Sequence, residues 1–270
     1  MSGVSSSIGV FDSGMGGLTV LKALRQILPQ ESFLYLGDTT RLPYGTKSIK
    51  TVQSYADQMV SMLIKRGIKA LVVACNTATT AALPNLQASF ADLPIIGVLD
   101  PGATEAVLHT KNRRIYILAT ETTIASEGYQ KRILQKLPQA HLRAQAANVL
   151  VALAEEGMAT NGVAIEALKH YLADFQEEDT ILLGCTHFPV FIPALKQLLP
   201  NVTLVNPAEA TALCLKETLM ELNLLNMGSV PTVHYLVTDS IQRFKKVGEI
   251  FLGESLIDAP VELIDAVPER

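Results

Sequence analysis

Short apolar runs alternate with longer amphipathic segments along this chain. Runs rich in β-branched residues that end at polar or turn residues are typical of buried parallel strands, and apolar positions at helical spacing are typical of amphipathic helices. The pattern predicts strands at 8–12, 33–38, 70–75, 94–99, 114–120, 180–185, 202–206 and 233–238. It predicts helices at 16–28, 50–67 and 240–253, among others. Alternating strands and helices indicate an α/β fold with mostly parallel sheets.

Two stretches of the chain carry similar landmarks in the same order. The apolar runs that begin at Ile8 and Ile115 are 107 residues apart, and so are those that begin at Pro94 and Asn201. Sequence identity between the stretches is low, so chance similarity of two strand–helix–strand segments is the alternative. We favour an internal repeat. It predicts two pseudo-symmetric domains, which are residues 1–98 with 212–270, and residues 99–211.

Two of the three cysteines fit this repeat. Cys75 ends the run "VVAC" and Cys185 ends the run "ILLGC", 110 residues apart, and small polar residues follow each cysteine. Ligands of open α/β sheets bind outside the carboxyl ends of the strands. The two cysteines are therefore expected at equivalent strand ends, facing one cleft between the domains.

Composition narrows the classes of function. The 270-residue chain has a net charge of −4 and no basic stripe, which argues against a nucleic-acid partner. No apolar run approaches the length of a membrane span, and the N-terminus lacks the pattern of a secretory signal. We therefore expect no membrane partner and a cytoplasmic location. Three cysteines in a chain of this length do not indicate a disulfide framework.

The stretch "FDSGMGGLTV" follows the first predicted strand and opens a helix. Asp12 stands at the strand end, and Gly14, Gly16 and Gly17 permit a tight turn whose free N–H groups can hold an anion such as a carboxylate. The stretch has neither the third glycine of a dinucleotide fingerprint, because Thr19 takes its place, nor the lysine of a P-loop. A purely structural turn, with Asp12 capping the helix, is the alternative.

Polar neighbours give two of the cysteines the setting of a reactive thiol. Amide and hydroxyl side chains follow Cys75, and Thr186 and His187 follow Cys185. A helix N-terminus lowers the pKa of a thiol, so we expect both thiols to be activated in this way. The alternative is a small buried apolar residue, which is the interpretation we adopt for Cys214 in its apolar helical pattern. The spacing does not match a zinc site, so no metal is predicted.

Four stretches together resemble the glutamate racemases of the aspartate/glutamate racemase superfamily. They are "DSGMGGLTVL", "GDTTRLPYG", "VVACNTATT" and "LLGCTHFP", in the family's order and spacing. The resemblance covers residues 8 to about 255, with departures at Ala147, Asn148 and Asn206. It implies two α/β domains with one buried active site in the cleft between them, no cofactor, and L- and D-glutamate as the small-molecule substrate. It also allows a homodimer.

The resemblance implies roles for individual residues. The catalytic residues would be the two bases Cys75 and Cys185, assisted by Asp12, His187 and Glu155. The substrate-binding positions would be Asp12, Ser13, Asp38, Pro43, Tyr44, Gly45, Asn76, Thr77, Thr123, Thr186 and His187. Without the resemblance, Glu155 would pass as one of two adjacent solvated acids, and residues 37–45 as an ordinary polar loop.

The implied reaction accounts for a pair of thiols. Racemisation moves a proton from one face of Cα to the other, so a thiolate on one face abstracts while a thiol on the opposite face donates. Such an enzyme would supply D-glutamate for peptidoglycan. The sequence leaves open a related racemase that acts on aspartate or a broader set, and a binding protein that keeps the fold without catalysis. It shows no Schiff-base lysine in a phosphate-binding setting, as a pyridoxal-phosphate racemase would need.

Overall fold

A computed structural model describes residues 3–226, 228 and 230–266. The strands are β1 (Ile8–Asp12), β2 (Phe33–Gly37), β3 (Ala70–Val73), β4 (Ile95–Gly97), β5 (Arg114–Ala119), β6 (His141–Ala146), β7 (Thr180–Gly184), β8 (Thr203–Val205), β9 (Val233–Val237) and β10 (Val261–Leu263). The helices are α1 (Leu18–Ile27), α2 (Ile49–Lys65), α3 (Asn76–Ser89), α4 (Leu99–His109), α5 (Glu121–Ala125), α6 (Gly128–Lys136), α7 (Asn148–Glu155), α8 (Gly162–Tyr171), α9 (Ile192–Leu198), α10 (Pro207–Glu221) and α11 (Ile241–Leu252), with 3₁₀ helices at Tyr44–Thr46 and Phe188–Phe191. Each predicted strand and helix is present.

The strands form two parallel sheets, which confirms the predicted fold class. One sheet has the order β10-β9-β2-β1-β3-β4 and the other the order β6-β5-β7-β8. The order β2-β1-β3-β4 therefore recurs in the second sheet, strand for strand, as an internal repeat predicts. Ile8 pairs with Ala70 in the first sheet, and Ile115 pairs with Thr180 in the second.

The last strand of the repeat corrects the predicted spacing. Leu71 pairs with Ile95, and its counterpart Ile181 pairs with Leu204. Ile95 and Leu204 are therefore equivalent, 109 residues apart, rather than positions separated by 107. The two halves have slightly different numbers of residues before this strand, which the alignment of apolar runs did not register.

Two edge strands, β6 and β10, were not predicted. The side chains of β6 are half-buried or exposed, and so are those of the three-residue β10. A buried strand shows as a continuous apolar run, whereas an edge strand facing solvent shows no such run. β3 and β7 lie inside their sheets and are wholly buried, which fixes the positions of their carboxyl ends.

The two sheets are joined by helices as well as by the chain. α10 packs against both α1 and α4, and the predicted boundary between residues 211 and 212 falls inside this helix. Residues 1, 2, 227, 229 and 267–270, which the predicted first domain includes, lie outside the described residues. In the described part of the chain, no helix has the length and apolar character needed to cross a membrane.

Candidate active site

The two buried cysteines stand at equivalent strand ends. Cys75 follows β3 and is the N-cap of α3, where its Sγ accepts the Ala78 N–H at 3.4 Å. Cys185 follows β7 directly, two residues before His187. Only 5% of Cys75 and 7% of Cys185 is exposed. The same strand order thus places one thiol at the carboxyl end of each sheet.

Cys75 lies beside Ser13 and Asp12. Its Sγ is 3.5 Å from the Ser13 Oγ, and Asp12 is fully buried. Burial raises the pKa of the Cys75 thiol to about 12, and the Asp12 charge acts in the same direction. The hydrogen bonds that Cys75 makes with the Ser13 hydroxyl and with the Ala78 N–H oppose this rise without cancelling it. The expected lowering of the Cys75 pKa by the helix N-terminus is therefore wrong, because desolvation outweighs the helix.

Asp12 holds the glycine turn and also reaches the other half. Its Oδ2 accepts the Gly14 N–H at 3.0 Å, and the Thr186 hydroxyl donates to its Oδ1 at 3.4 Å. Burial raises the pKa of Asp12, although the positive charge of His187 opposes the rise. Asp12 thus bonds within its own turn, as the purely structural alternative expects. The same carboxyl group also faces the residues that follow β7.

Cys185 lies beside a buried histidine–glutamate pair. The His187 Nδ1 is 3.9 Å from the Cys185 Sγ, and its Nε2 is 3.1 Å from the Glu155 Oε1. Burial disfavours the imidazolium, but hydrogen bonds with Cys185 and Glu155 outweigh it and raise the pKa of His187 to about 10. Burial likewise disfavours the Glu155 carboxylate, but His187 and Arg243 outweigh it and lower the pKa of Glu155. The pair is therefore ionised at neutral pH, with the cation facing the thiol.

Three threonine hydroxyls meet between the two halves. The Thr77 Oγ1 is 2.9 Å from that of Thr120 and 3.1 Å from that of Thr123, and the latter two are 3.1 Å apart. All three are buried. Thr77 and Thr123 were among the predicted substrate-binding positions, whereas Thr120 was not. Next to this cluster, the Tyr129 hydroxyl donates to the Asn76 Oδ1 at 2.6 Å.

The loop after β2 places Tyr44 and Gly45 inside and Pro43 outside. The Asp38 carboxylate is buried and accepts the Tyr44 hydroxyl at 2.6 Å and the Thr238 hydroxyl at 2.9 Å. Burial and the Asp38 charge raise the pKa of Tyr44 and keep it a neutral phenol. Both carboxylate oxygens of Asp38 are thus hydrogen-bonded to protein groups, and Asp38 fixes the position of Tyr44. Pro43 is exposed.

Gly16 permits the close approach of the two halves at the thiols. A Cβ built on Gly16 would lie 2.5 Å from the Thr186 Oγ1 and would overlap the His187 ring. Real Cβ contacts of that length do not occur, so a side chain here would displace the histidine. The glycine is thus needed to seat His187 against Asp12 and Cys185.

Other candidate residues lie elsewhere. Cys214 is only partly buried on α10, so the prediction of a core residue is wrong: its position on the helix lies beside the apolar face rather than on it. Asn148 accepts the Glu121 N–H at 2.9 Å and Asn206 caps α10, so these departures perform local capping. Among the described residues, no cluster of His, Cys, Asp and Glu is arranged to hold a metal ion.

Comparison with known proteins places this geometry among racemases. The Asp/Glu/Hydantoin racemase family matches residues 8–215. A glutamate racemase from Geobacter metallireducens is 42% identical over 267 residues, which cover 97% of this chain and 98% of the relative. The structure of a glutamate racemase isoform from Bacillus anthracis matches with a TM-score of 0.91 at 36% identity, covering 96% of this chain and 97% of that one. A Francisella tularensis glutamate racemase solved with D-glutamate also matches with a TM-score of 0.91, at 34% identity, covering 97% of this chain and 98% of that one.

Proposed function

The chain belongs to the Asp/Glu/Hydantoin racemase family, and we propose that it is a cofactor-independent glutamate racemase that interconverts L- and D-glutamate. The observation that carries the proposal is the pair of buried thiols at equivalent ends of β3 and β7. Relatives at about 40% identity over nearly the whole chain are glutamate racemases, which supports glutamate as the substrate. 

The neighbours of the two thiols suggest how the reaction starts. The Cys75 pKa of about 12 keeps this residue a proton-bearing thiol. We assign the role of first base to Cys185, whose Sγ lies 3.9 Å from the His187 Nδ1. The Cys185 thiolate takes the α-proton, the C–H electron pair passes into the substrate carboxylate, and the Cys75 thiol gives its proton to the opposite face. The reverse reaction then begins from the exchanged protonation states.

Polar groups of both halves would bind the substrate. We assign substrate binding to the predicted positions around the thiols, above all Ser13, Asn76, Thr77, Thr123 and Thr186. Four of these carry hydroxyl groups and the fifth an amide, and all five are buried. Donors fixed in a site without bulk water stabilise charge that develops on the substrate carboxylate. The predicted division into residues 1–98 with 212–270 and residues 99–211 puts one thiol in each domain.

The biological role follows from the product. We infer that the enzyme acts in the cytoplasm and supplies D-glutamate for peptidoglycan. The homodimer stays a prediction, and the mass measured by light scattering during gel filtration would test it.

The first experiment is circular dichroism of L-glutamate with purified protein and no added cofactor, beside a parallel sample of L-aspartate. Loss of the glutamate signal alone is the expected result. Loss of both signals would indicate a broader amino-acid racemase, and no loss of either would refute the proposed function.

A further inference from the structure

Helix α11 contacts the histidine–glutamate pair at two points. The Arg243 Nη2 lies 3.2 Å from the Glu155 Oε2, and the Phe251 ring packs edge-on against His187 with 4.9 Å between the ring centroids. α11 follows β9 of the six-stranded sheet, whereas Glu155 and His187 belong to the half that contains the four-stranded sheet. These contacts therefore cross from one half to the other.

We propose that Arg243 is a positioning residue, which holds the Glu155 carboxylate in the orientation that keeps His187 beside Cys185. The inference rests on the proposed racemase function. It adds a residue from outside the four recognised stretches, 88 positions from Glu155 in the sequence.

The carboxylate of Glu155 is divided between two partners. Its Oε1 is bonded to His187 and its Oε2 to Arg243. Rotation of the carboxylate would lengthen at least one of these bonds, so Arg243 restricts the orientation in which Glu155 meets the imidazole. The Glu155 side chain is 8% exposed and that of Arg243 is 51% exposed, so the arginine links the buried pair to the surface.

Several charged groups face this pair. Cys185 and Asp12 face His187 on the inner side. On the outer side, Glu156 lies 3.8 Å from the Arg243 Nη2, and the exposed Lys246 lines a cavity of about 380 Å³ together with Glu155 and Arg243. Among the described residues, Lys246 forms no ion pair. Replacing it therefore removes a positive charge from the same helix without removing a bond to Glu155, which makes it the control for Arg243.

The sign of the effect follows from the partners of Glu155. Burial favours the neutral carboxyl group, and His187 and Arg243 oppose this. Loss of the arginine would let Glu155 take up a proton at higher pH. A protonated Glu155 no longer compensates the His187 cation, so activity would begin to fall at a higher pH as the solution is acidified.

The test compares kcat/KM for glutamate from about pH 3.5 to about pH 8 in the wild type, Arg243→Gln, Arg243→Lys and Lys246→Gln, a range that includes the titration of a carboxyl group. In Arg243→Gln, the acidic limb should move up by about half a pH unit, and kcat/KM on that limb should fall about threefold, the size expected of a half-exposed charge pair. Arg243→Lys should restore most of the wild-type limb, and Lys246→Gln should leave it in place. Far-ultraviolet dichroism checks that each variant is folded.

Two results would overturn the assignment. One is an acidic limb of Arg243→Gln that coincides with the wild type. The other is an equal shift in Lys246→Gln, which would show that only the net charge of the helix matters. Wild-type protein that racemises nothing would instead refute the proposed function, and this inference with it.

Discussion

At the scale of single residues, the two thiols have different chemical neighbours although they occupy equivalent positions. Cys75 is accompanied by an alcohol and a buried carboxyl group, Ser13 and Asp12, whereas Cys185 is accompanied by the imidazolium of His187. An anion raises the energy of a nearby thiolate and a cation lowers it. Cys75 thus has an anion beside it and Cys185 a cation, and the proposed roles of donor and acceptor rest on this difference.

Replacing either thiol separates abstraction from donation. We expect Cys75→Ser and Cys185→Ser each to lower racemisation by at least about 100-fold, because a hydroxyl group is a far weaker acid than a thiol and is not ionised at neutral pH, so it neither donates nor abstracts the α-proton well. In heavy water, each variant should still exchange the α-proton of one enantiomer, a different one in each case. Proton NMR of the α-position measures this exchange. Full racemisation by both variants would exclude the two-base mechanism.

A methyl group at position 16 should damage the site more than the fold. In Gly16→Ala the new Cβ would press on Thr186 and His187. We expect kcat/KM to fall about 100-fold because His187 would move from its position beside Cys185. Gly162→Ala is the control, because a Cβ there has nothing within 4 Å. Equal activity of the two variants would mean that the site yields to the extra methyl group.

At the scale of secondary structure, the site depends on where strands end and helices begin. β3 and β7 each deliver a thiol, and the short helix α5 brings Thr122 against the loop after β2. The Thr122 hydroxyl lies 2.9 Å from the Gly45 carbonyl oxygen and 3.0 Å from that of Lys47. Elements of the two halves are therefore held together next to the predicted substrate-binding positions.

Removing the Thr122 hydroxyl should weaken substrate binding. Thr122→Val keeps the shape of the side chain but leaves both carbonyl groups without this donor, and we expect KM for glutamate to rise about threefold to tenfold, as for the loss of about 1 kcal/mol. Ser126→Ala removes a hydroxyl from the end of the same helix, where it bonds only within its own half. Its KM should stay close to that of the wild type in the same circular dichroism assay.

The sequence predicted these elements unevenly, for physical reasons. Buried strands were evident because both of their faces are apolar, whereas the side chains of β6 and β10 are half-buried or exposed and show no apolar run. Gly16, Cys75 and Cys185 lie in short motifs directly after predicted strands, so the sequence alone identifies them. Thr120 and Arg243 act through contacts between distant segments, and neither periodicity nor local spacing reports such contacts. Likewise, the raised pKa of Cys75 depends on its burial and on the nearby Asp12, which together outweigh the local effect of the helix.

At the scale of the whole molecule, a buried ion pair closes the end of the first sheet opposite the thiols. The Lys69 Nζ lies 2.6 Å from the Glu31 Oε2 and also donates to the carbonyl groups of Val4 and Leu224. Both charged side chains are almost fully buried. The pair thus fastens the N-terminal segment and the chain after α10 to the sheet.

Breaking this pair should lower stability without changing the chemistry. We expect Lys69→Met to reduce the free energy of unfolding by about 3 kcal/mol, because it leaves the Glu31 carboxylate buried without its cation. Lys65→Met, at the exposed end of α2, is the control and should change it by less than about 0.5 kcal/mol. Urea denaturation measures both values, and kcat of the folded variants should match the wild type. Equal stability of the two variants would contradict the expectation.

The repeated strand order also has a stereochemical consequence. In the repeated strand order Cys75 corresponds to Cys185, and in the proposed reaction the two thiols act on opposite faces of a planar carbanion. A protein built only from L-residues can thereby treat two enantiomers nearly alike. The neighbours of the two thiols are unequal, yet free enantiomers have equal energies in water, so the equilibrium ratio of D to L stays at one. What the inequality sets is which thiol carries the proton in the empty enzyme, and therefore which enantiomer the resting enzyme is ready to deprotonate.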